Sequence, residues 1–363
     1  MPAWDANTNP ALFSARVGMC FGPQTEAPVV AVRDVLICPV NQNVTVSLEE
    51  FREHPPIASP PELRLKGSAD PVDLGRGVRA DRLKREEADL VFSACSPRGH
   101  YFVPVRQFGQ RFAFVREYDP TAVEDQLSAW DPEGVIYDAL AYSRLIRDHA
   151  FSREWTGRIV DYADGEQMVI YTPGHELKLG YRLRDDRDWL DAEEAGELES
   201  LLASYWANSH SFPVRLTRAM WRFEYAYGQR WADVALPTIV GGLEALLRIG
   251  SNRLTRQFSK RVPAVAEELG VDGIDTSLAR RLYDGRSDWV HASAVRLLQA
   301  EPVPGEAVTV TPIPGRAEQA ITEVAVLQDV LRLTIRRAIE DPHFRAVFET
   351  DDAIQERWPA PPA

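Results

Sequence analysis

Two side chains, Arg286 and His291, stand five positions apart in the stretch LARRLYDGRSDWVHASA, residues 278–294. An imidazole has an ordinary pKa of about 6.5 and can give or take a proton near neutrality. A guanidinium stays charged and forks onto the oxygens of a phosphate. Together they supply what phosphoryl-ester chemistry without a metal requires: one group moves protons, the other stabilises charge on the phosphoryl oxygens. Polar neighbours can support the pair. Asp284, Asp288 and His291 share a helical face at i, i+4 and i+7. Asp288 is placed to orient the imidazole and favour its charged form, and Ser287 to hydrogen-bond the ring or a phosphate. Glu244, the lone carboxylate in the apolar run GLEALL, is placed to anchor Arg286 from a facing helix.

Helical geometry limits how the pair can act. Five residues correspond to a rotation of about 140° and a rise of about 7.5 Å, so Arg286 and His291 of one chain do not share a stripe. Either the long arginine curls round, or a second chain completes the site. Each residue also has a plainer use, Arg286 in an ion pair, His291 at a packed interface, Asp288 and Ser287 in solvent.

Other chemistries find little footing. No Walker loop, GxGxxG or HExxH occurs. Ser209, His210 and Ser211 adjoin, but no GxSxG elbow surrounds them. His100 and His175, each beside a glycine, read as turn residues. Cys20, Cys38 and Cys95 are widely spaced, which predicts a reducing compartment and neither a metal site nor a cofactor. No run of about 18 apolar residues exists and no secretory leader is evident, so the expected location is the cytoplasm and no membrane partner is expected.

The motif stretch must ride on a helix that opens after Asp275 and Thr276, both good N-cap residues. Other helices are expected over 191–207, 212–228, 233–249, 254–269 with Gly270 as the stop, and 318–340. Upstream the texture differs. Residues 28–48 are Val-rich and alternate, broken near Pro39, and strands are expected again at 101–104, 111–118 and 177–183. A helix should start at Asp131-Pro132 and run to about His149, followed by a hairpin turning at Asp164-Gly165. Residues 54–89, rich in Pro, Gly and charge, read as a mobile insertion, and 359–363 as a disordered tail. The fold class is therefore α+β, with a mixed domain over 1–185 and an all-α domain over 186–358.

The net charge of −13 disfavours a polyanion as partner, but the charge is uneven. Residues 212–300 carry 13 Lys/Arg against 9 Asp/Glu, while both flanks are acidic.

The Arg-x4-His string, directly after Leu282-Tyr283, resembles the motif of HEPN ribonuclease domains, and most closely the ApeA-like variety. The resemblance covers residues 231–345 through four segments in order: GLEALL, LTRQFSKRVPAVAEELG, LYDGRSDWVHAS and LQDVLRLTIRRAIED. Ala292 stands where relatives often have Gly. The first 185 residues resemble no family. The resemblance implies a helical bundle that pairs as a homodimer about a two-fold axis and cuts RNA without a metal. It implies attack of a ribose 2′-hydroxyl on the adjacent phosphorus, leaving a 2′,3′-cyclic phosphate. It further implies a role in anti-phage defence or a toxin–antitoxin pair, often against tRNA; residues 1–185 are then expected to act as sensor, substrate selector or restraint, with a regulatory partner not identified. Arg286 and His291 are then the catalytic residues, supported by Asp288, Ser287, Glu244 and Asp284. Arg256, Lys260 and Arg261 are weaker RNA-contact candidates, Arg261 the more readily a structural pair. The alternative is a non-catalytic HEPN module that dimerises or binds RNA or protein.

Overall fold

The structure is a computed structural model that describes residues 19–21, 27–38, 71–82, 112–118, 132–147, 155–172, 192–227, 232–249, 253–290 and 316–360. It is α+β, and the chain divides into two compact units. One comprises Met1–Ser143, Phe151–Glu176 and Asp185–Leu202; the other Arg144–Ala150, Leu177–Arg184 and Ala203–Ala363. The single boundary expected at residue 185 is thus replaced by an interleaved division. Among the described residues no helix is long and apolar enough to cross a membrane.

The first unit holds a seven-stranded antiparallel sheet. Its strands are β1 (Met19–Phe21), β2 (Val29–Cys38), β3 (Val72–Gly75), β4 (Val78–Arg82), β5 (Phe112–Tyr118), β6 (Trp155–Tyr162) and β7 (Gln167–Thr172), in the order β1-β7-β6-β2-β5-β4-β3. Consecutive residues Phe114-Val115 and Ile159-Val160 are all buried. Neighbouring strand residues point to opposite faces, so both faces of the central strands are covered. Register is fixed by charge as well as by apolar pattern. Asp34, 1% exposed, lies directly opposite Arg158 and accepts from its Nε at 2.7 Å and its Nη2 at 3.3 Å. Arg33, one residue earlier and on the other face, pairs diagonally with Asp161 at 3.0 Å. A one-residue slip would break both pairs.

The expected hairpin at Asp164-Gly165 is present as β6–β7, with Gly165 at φ 86°. The expectation of a mobile stretch over 54–89 needs correction for its middle. Residues 71–82 form the β3–β4 hairpin, with Leu74, Val78 and Ala80 buried. The turn is Arg76-Gly77, both at positive φ (50° and 73°), the geometry that two-residue hairpins favour. Gly77 also passes so close to β5 that a Cβ would stand 3.0 Å from the Glu117 carbonyl oxygen. The remainder of 54–89, the strands expected at 101–104 and 177–183, and residues 361–363 lie outside the described residues.

Nine α-helices are described: α1 (Pro132–Ile146), α2 (Ala192–Asn208), α3 (Val214–Tyr227), α4 (Ala232–Leu247), α5 (Leu254–Leu269), α6 (Thr276–Val290), α7 (Arg316–Glu340), α8 (Pro342–Ala346) and α9 (Asp351–Arg357). In the second unit α3, α4, α5, α6 and α7 pack as a bundle around Leu216, Phe223, Ile239, Leu243, Phe258, Val262, Leu282 and Leu331. Helix α5 stops at Gly270, φ 69°, where Val271 N–H reaches back to the Ala266 carbonyl at 2.8 Å.

The short helices α8 and α9 carry the chain back onto this bundle, a return the periodicity of the sequence does not announce. Its tie is Arg261. Only 4% exposed, Arg261 donates to the carbonyls of Leu247 (2.6 Å), Arg248 (2.8 Å) and Trp358 (3.0 Å), and to Gln355. It therefore caps the C-terminal end of α4, whose last carbonyls lack partners within the helix, and holds the returning segment with the same guanidinium. Burial, together with the nearby Arg248 charge, lowers its pKa from the ordinary arginine value, partly offset by Asp351. Its expected alternative as an RNA contact gives way to this structural role. Glu268 accepts from Arg357 and from Trp358 Nε1 at 3.1 Å, and Ala360, counted with the expected tail, is buried.

Replacing Arg261 with Met should destabilise the protein by about 2–4 kcal/mol, because two buried carbonyls and one part-buried carbonyl lose their donor; urea unfolding measures it, and a loss below about 0.5 kcal/mol would show that the clamp contributes little. The same segment should loosen in acid. The Arg357 hydrogen bond lowers Glu268 below its ordinary value, and backbone N–H donors from Phe344 and His343 lower Asp341. Groups with depressed folded pKa values stabilise fully above their ordinary values, here 4.5 and 3.8, and lose that contribution as pH falls through the lower folded values. Limited proteolysis below about pH 4 should cut first between residues 341 and 360, and no earlier than elsewhere at pH 6.

Candidate functional site

Helix α6 begins as the sequence predicts, with the Asp275 carboxylate accepting the Leu278 N–H at 2.7 Å. Its inward stripe runs Leu278, Ala279, Leu282, Tyr283. Arg286 continues that stripe one turn on, so its guanidinium meets the bundle rather than open solvent. Two outward residues hold α6 to its neighbours: Arg281 pairs with Glu323 of α7 at 2.9 Å, and Asp284 accepts from Thr255 of α5 at 3.3 Å.

Opposite Arg286 stands Glu244 of α4, and the two form an ion pair, the anchoring expected from the sequence. Their side chains are 26% and 25% exposed. The same Glu244 oxygen accepts the Tyr283 hydroxyl at 2.8 Å. The guanidinium carbon of Arg286 lies 4.7 Å from the centre of the Tyr283 ring, close enough for a cation–π contact. Tyr283 in turn leans on Phe258 of α5, ring centres 4.8 Å apart. Three helices thus converge on one guanidinium.

This arrangement sets the protonation of the phenol. Burial, then the hydrogen bond to Glu244, pushes the Tyr283 pKa up to about 12, against a smaller lowering by Arg286. Tyr283 is therefore a hydrogen-bond donor at neutral pH, neither a base nor a nucleophile. Sequence reading overlooked it as a site residue, although it sits three positions before Arg286, where a helical neighbour can reach.

Arg286 commits Nη1 to Glu244; beyond Glu244 and Tyr283 it makes no hydrogen bond or ion pair among the described residues. A guanidinium has five N–H donors, so others remain for an anionic ligand. The remaining candidates fall variously. Asp284 is exposed and also lies 3.8 Å from Arg280. Ser287 and Asp288 belong to α6, but their side chains, and His291 entirely, lie outside the described residues. Arg256 and Lys260 are exposed on α5 one turn apart, whereas Arg261 is buried in its clamp. His210 is exposed in a short 3-10 turn whose Ser211 hydroxyl donates to the Asn208 carbonyl at 2.8 Å.

Compared with known protein families, with curated proteins and with solved structures, the chain finds no match.

Glu244→Ala should cost about 1–2 kcal/mol by leaving Arg286 part-buried without its counter-charge. Glu244→Ala combined with Arg286→Ala should lose less than the sum of the single losses. Strictly additive losses in urea unfolding would mean the pair contributes no coupling.

Proposed function

We propose that this chain is a metal-independent endoribonuclease of HEPN type, acting as a homodimer in the cytoplasm. The single observation that supports it most is Arg286 itself: a guanidinium aimed by Glu244 and Tyr283, with donors left over, on the helix that leads to His291. In the reaction His291 takes the proton of a ribose 2′-hydroxyl, and the oxygen attacks the adjacent phosphorus. The bond to the 5′-oxygen breaks, and that oxygen takes up a proton from a second acid or from water. The products are a 2′,3′-cyclic phosphate and a 5′-hydroxyl. Arg286 stabilises the extra negative charge on the non-bridging oxygens as the fifth bond forms. Glu244 is the positioning residue: it fixes the rotamer of a long side chain whose freedom would otherwise be lost on each binding event. The two-fold partner supplies the second Arg/His pair, because five residues of helix separate the two groups in angle. A target among tRNAs and a place in anti-phage defence or a toxin–antitoxin pair complete the reading, with residues 1–185 restraining or triggering the activity.

A second reading is a non-catalytic HEPN module, favoured by the Glu244–Arg286 pair, which is sufficient to seat an arginine for structural purposes alone. Full-length protein incubated with total tRNA and with a mixed-sequence RNA decides between them. Arg286→Ala and His291→Ala should each lower cleavage by about 100-fold or more while sedimentation shows the dimer intact, and the cut ends should carry 2′,3′-cyclic phosphates. RNA left whole by the wild type would favour the non-catalytic module, and RNA cut equally by the variants would overturn the assignment of Arg286 and His291 as the cleaving pair.

A further inference from the structure

Helix α3 turns one face outward to solvent. Leu216, Ala219, Phe223, Ala226 and Tyr227 are buried; Val214, Arg218, Trp221, Arg222 and Tyr225 are exposed. At about 100° per residue the exposed five fall within an arc of roughly 100°. Val214, Trp221 and Tyr225 are 65%, 71% and 66% exposed. An outward helical face is ordinarily charged and of mixed sign. This one carries two aromatics, two arginines and no carboxylate.

The composition selects the occupant. Trp221 and Tyr225, one turn apart, leave most of their surface open to water. A second copy packed face to face on this patch would bring four arginines and no carboxylate from the patch into one small interface. A single-stranded nucleic acid meets every feature at once: each base offers a flat face to an aromatic ring, and each phosphate a charge to an arginine. The face also lies within the one basic stretch of an acidic chain, 13 Lys/Arg against 9 Asp/Glu over residues 212–300. It adjoins the helix that carries Glu244 as well. Arg222 lies over Gly241 of α4 so closely that a Cβ there would meet its Nη1 at 2.3 Å, and Gly241 precedes Glu244 by one turn.

We propose that the α3 face formed by Arg218, Trp221, Arg222 and Tyr225 is a docking platform for single-stranded RNA. Bases stack on Trp221 and Tyr225, and Arg218 and Arg222 contact the flanking phosphates. The platform gives the substrate a hold apart from Arg286, and it rests on the ribonuclease reading only for the choice of RNA over DNA.

The test is fluorescence anisotropy of a labelled ten-residue oligo-uridine with full-length His291→Ala protein, alongside the same protein carrying Trp221→Ala, Tyr225→Ala or Arg218→Glu. Each aromatic substitution should weaken binding about 5- to 100-fold. Arg218→Glu should flatten the dependence of log affinity on log salt by about 0.7, one phosphate contact. An oligo-deoxythymidine of the same length should bind comparably, since stacking and phosphate contacts ignore the sugar. Thermal melting should show all three variants as stable as the parent, because the substituted side chains are exposed. Failure of oligo-uridine to bind, or unchanged affinity in all three variants, would overturn the platform. So would a loss of dimer in Trp221→Ala with RNA affinity intact, which would assign the face to a second copy. Binding that falls with Trp221→Ala while the unsubstituted chain cuts no RNA would uphold the platform and end the ribonuclease reading; cleavage with unaltered variant binding would do the reverse.

Discussion

A positive charge cannot rest against the apolar side of a helical bundle unless an opposite charge waits there. That constraint organises the region around α6. Arg286 extends the buried stripe of Leu278, Leu282 and Tyr283, and only Glu244 on the facing helix makes its position tolerable. The carboxylate serves twice, since it also accepts the Tyr283 hydroxyl. The outcome is a guanidinium held in one place by an ion pair and a ring face, the ring itself backed by Phe258 of α5.

A fully buried guanidinium supports this part-buried one at a distance. Arg261 caps the C-terminal end of α4, and Glu244 sits one turn before the carbonyls it holds. The same group fastens Trp358, so the chain's return over the bundle and the end of the helix bearing Glu244 depend on one side chain. The sheet of the first unit uses a related device in Asp34 and Arg158, where a charge buried between strands has its match directly across the ladder. In the sheet the buried charge gains specificity of position, because a shifted register would not place Arg158 opposite Asp34.

Much of the helical part is legible in the sequence because its signals are periodic and local. The cap at Asp275, the glycine stop at 270 and the lone carboxylate of GLEALL all sit where the residues say, and Glu244 does meet Arg286. The β3–β4 hairpin escaped because its strands are four and five residues long and lie in a stretch whose average composition is polar; the short signal Gly-Arg-Gly was diluted by its surroundings. The role of Arg261 is legible only in part, since its partners lie up to 97 residues away and are mainly backbone carbonyls, which every residue carries. Tyr283 was seen only as part of a motif string, although its distance from Arg286 along the helix was available.

The order of strands in the sheet has a consequence for how the chain is made. Met19 pairs with Tyr171, so β1 finds its neighbour only after β2 to β6 have been made. Meanwhile β2, rich in Val, must wait for β5 and β6 with both edges bare. Long-range pairings of this kind form slowly and leave sticky edges uncovered during synthesis. Until β7 emerges, the nascent chain therefore carries bare strand edges of the kind that invite wrong pairing.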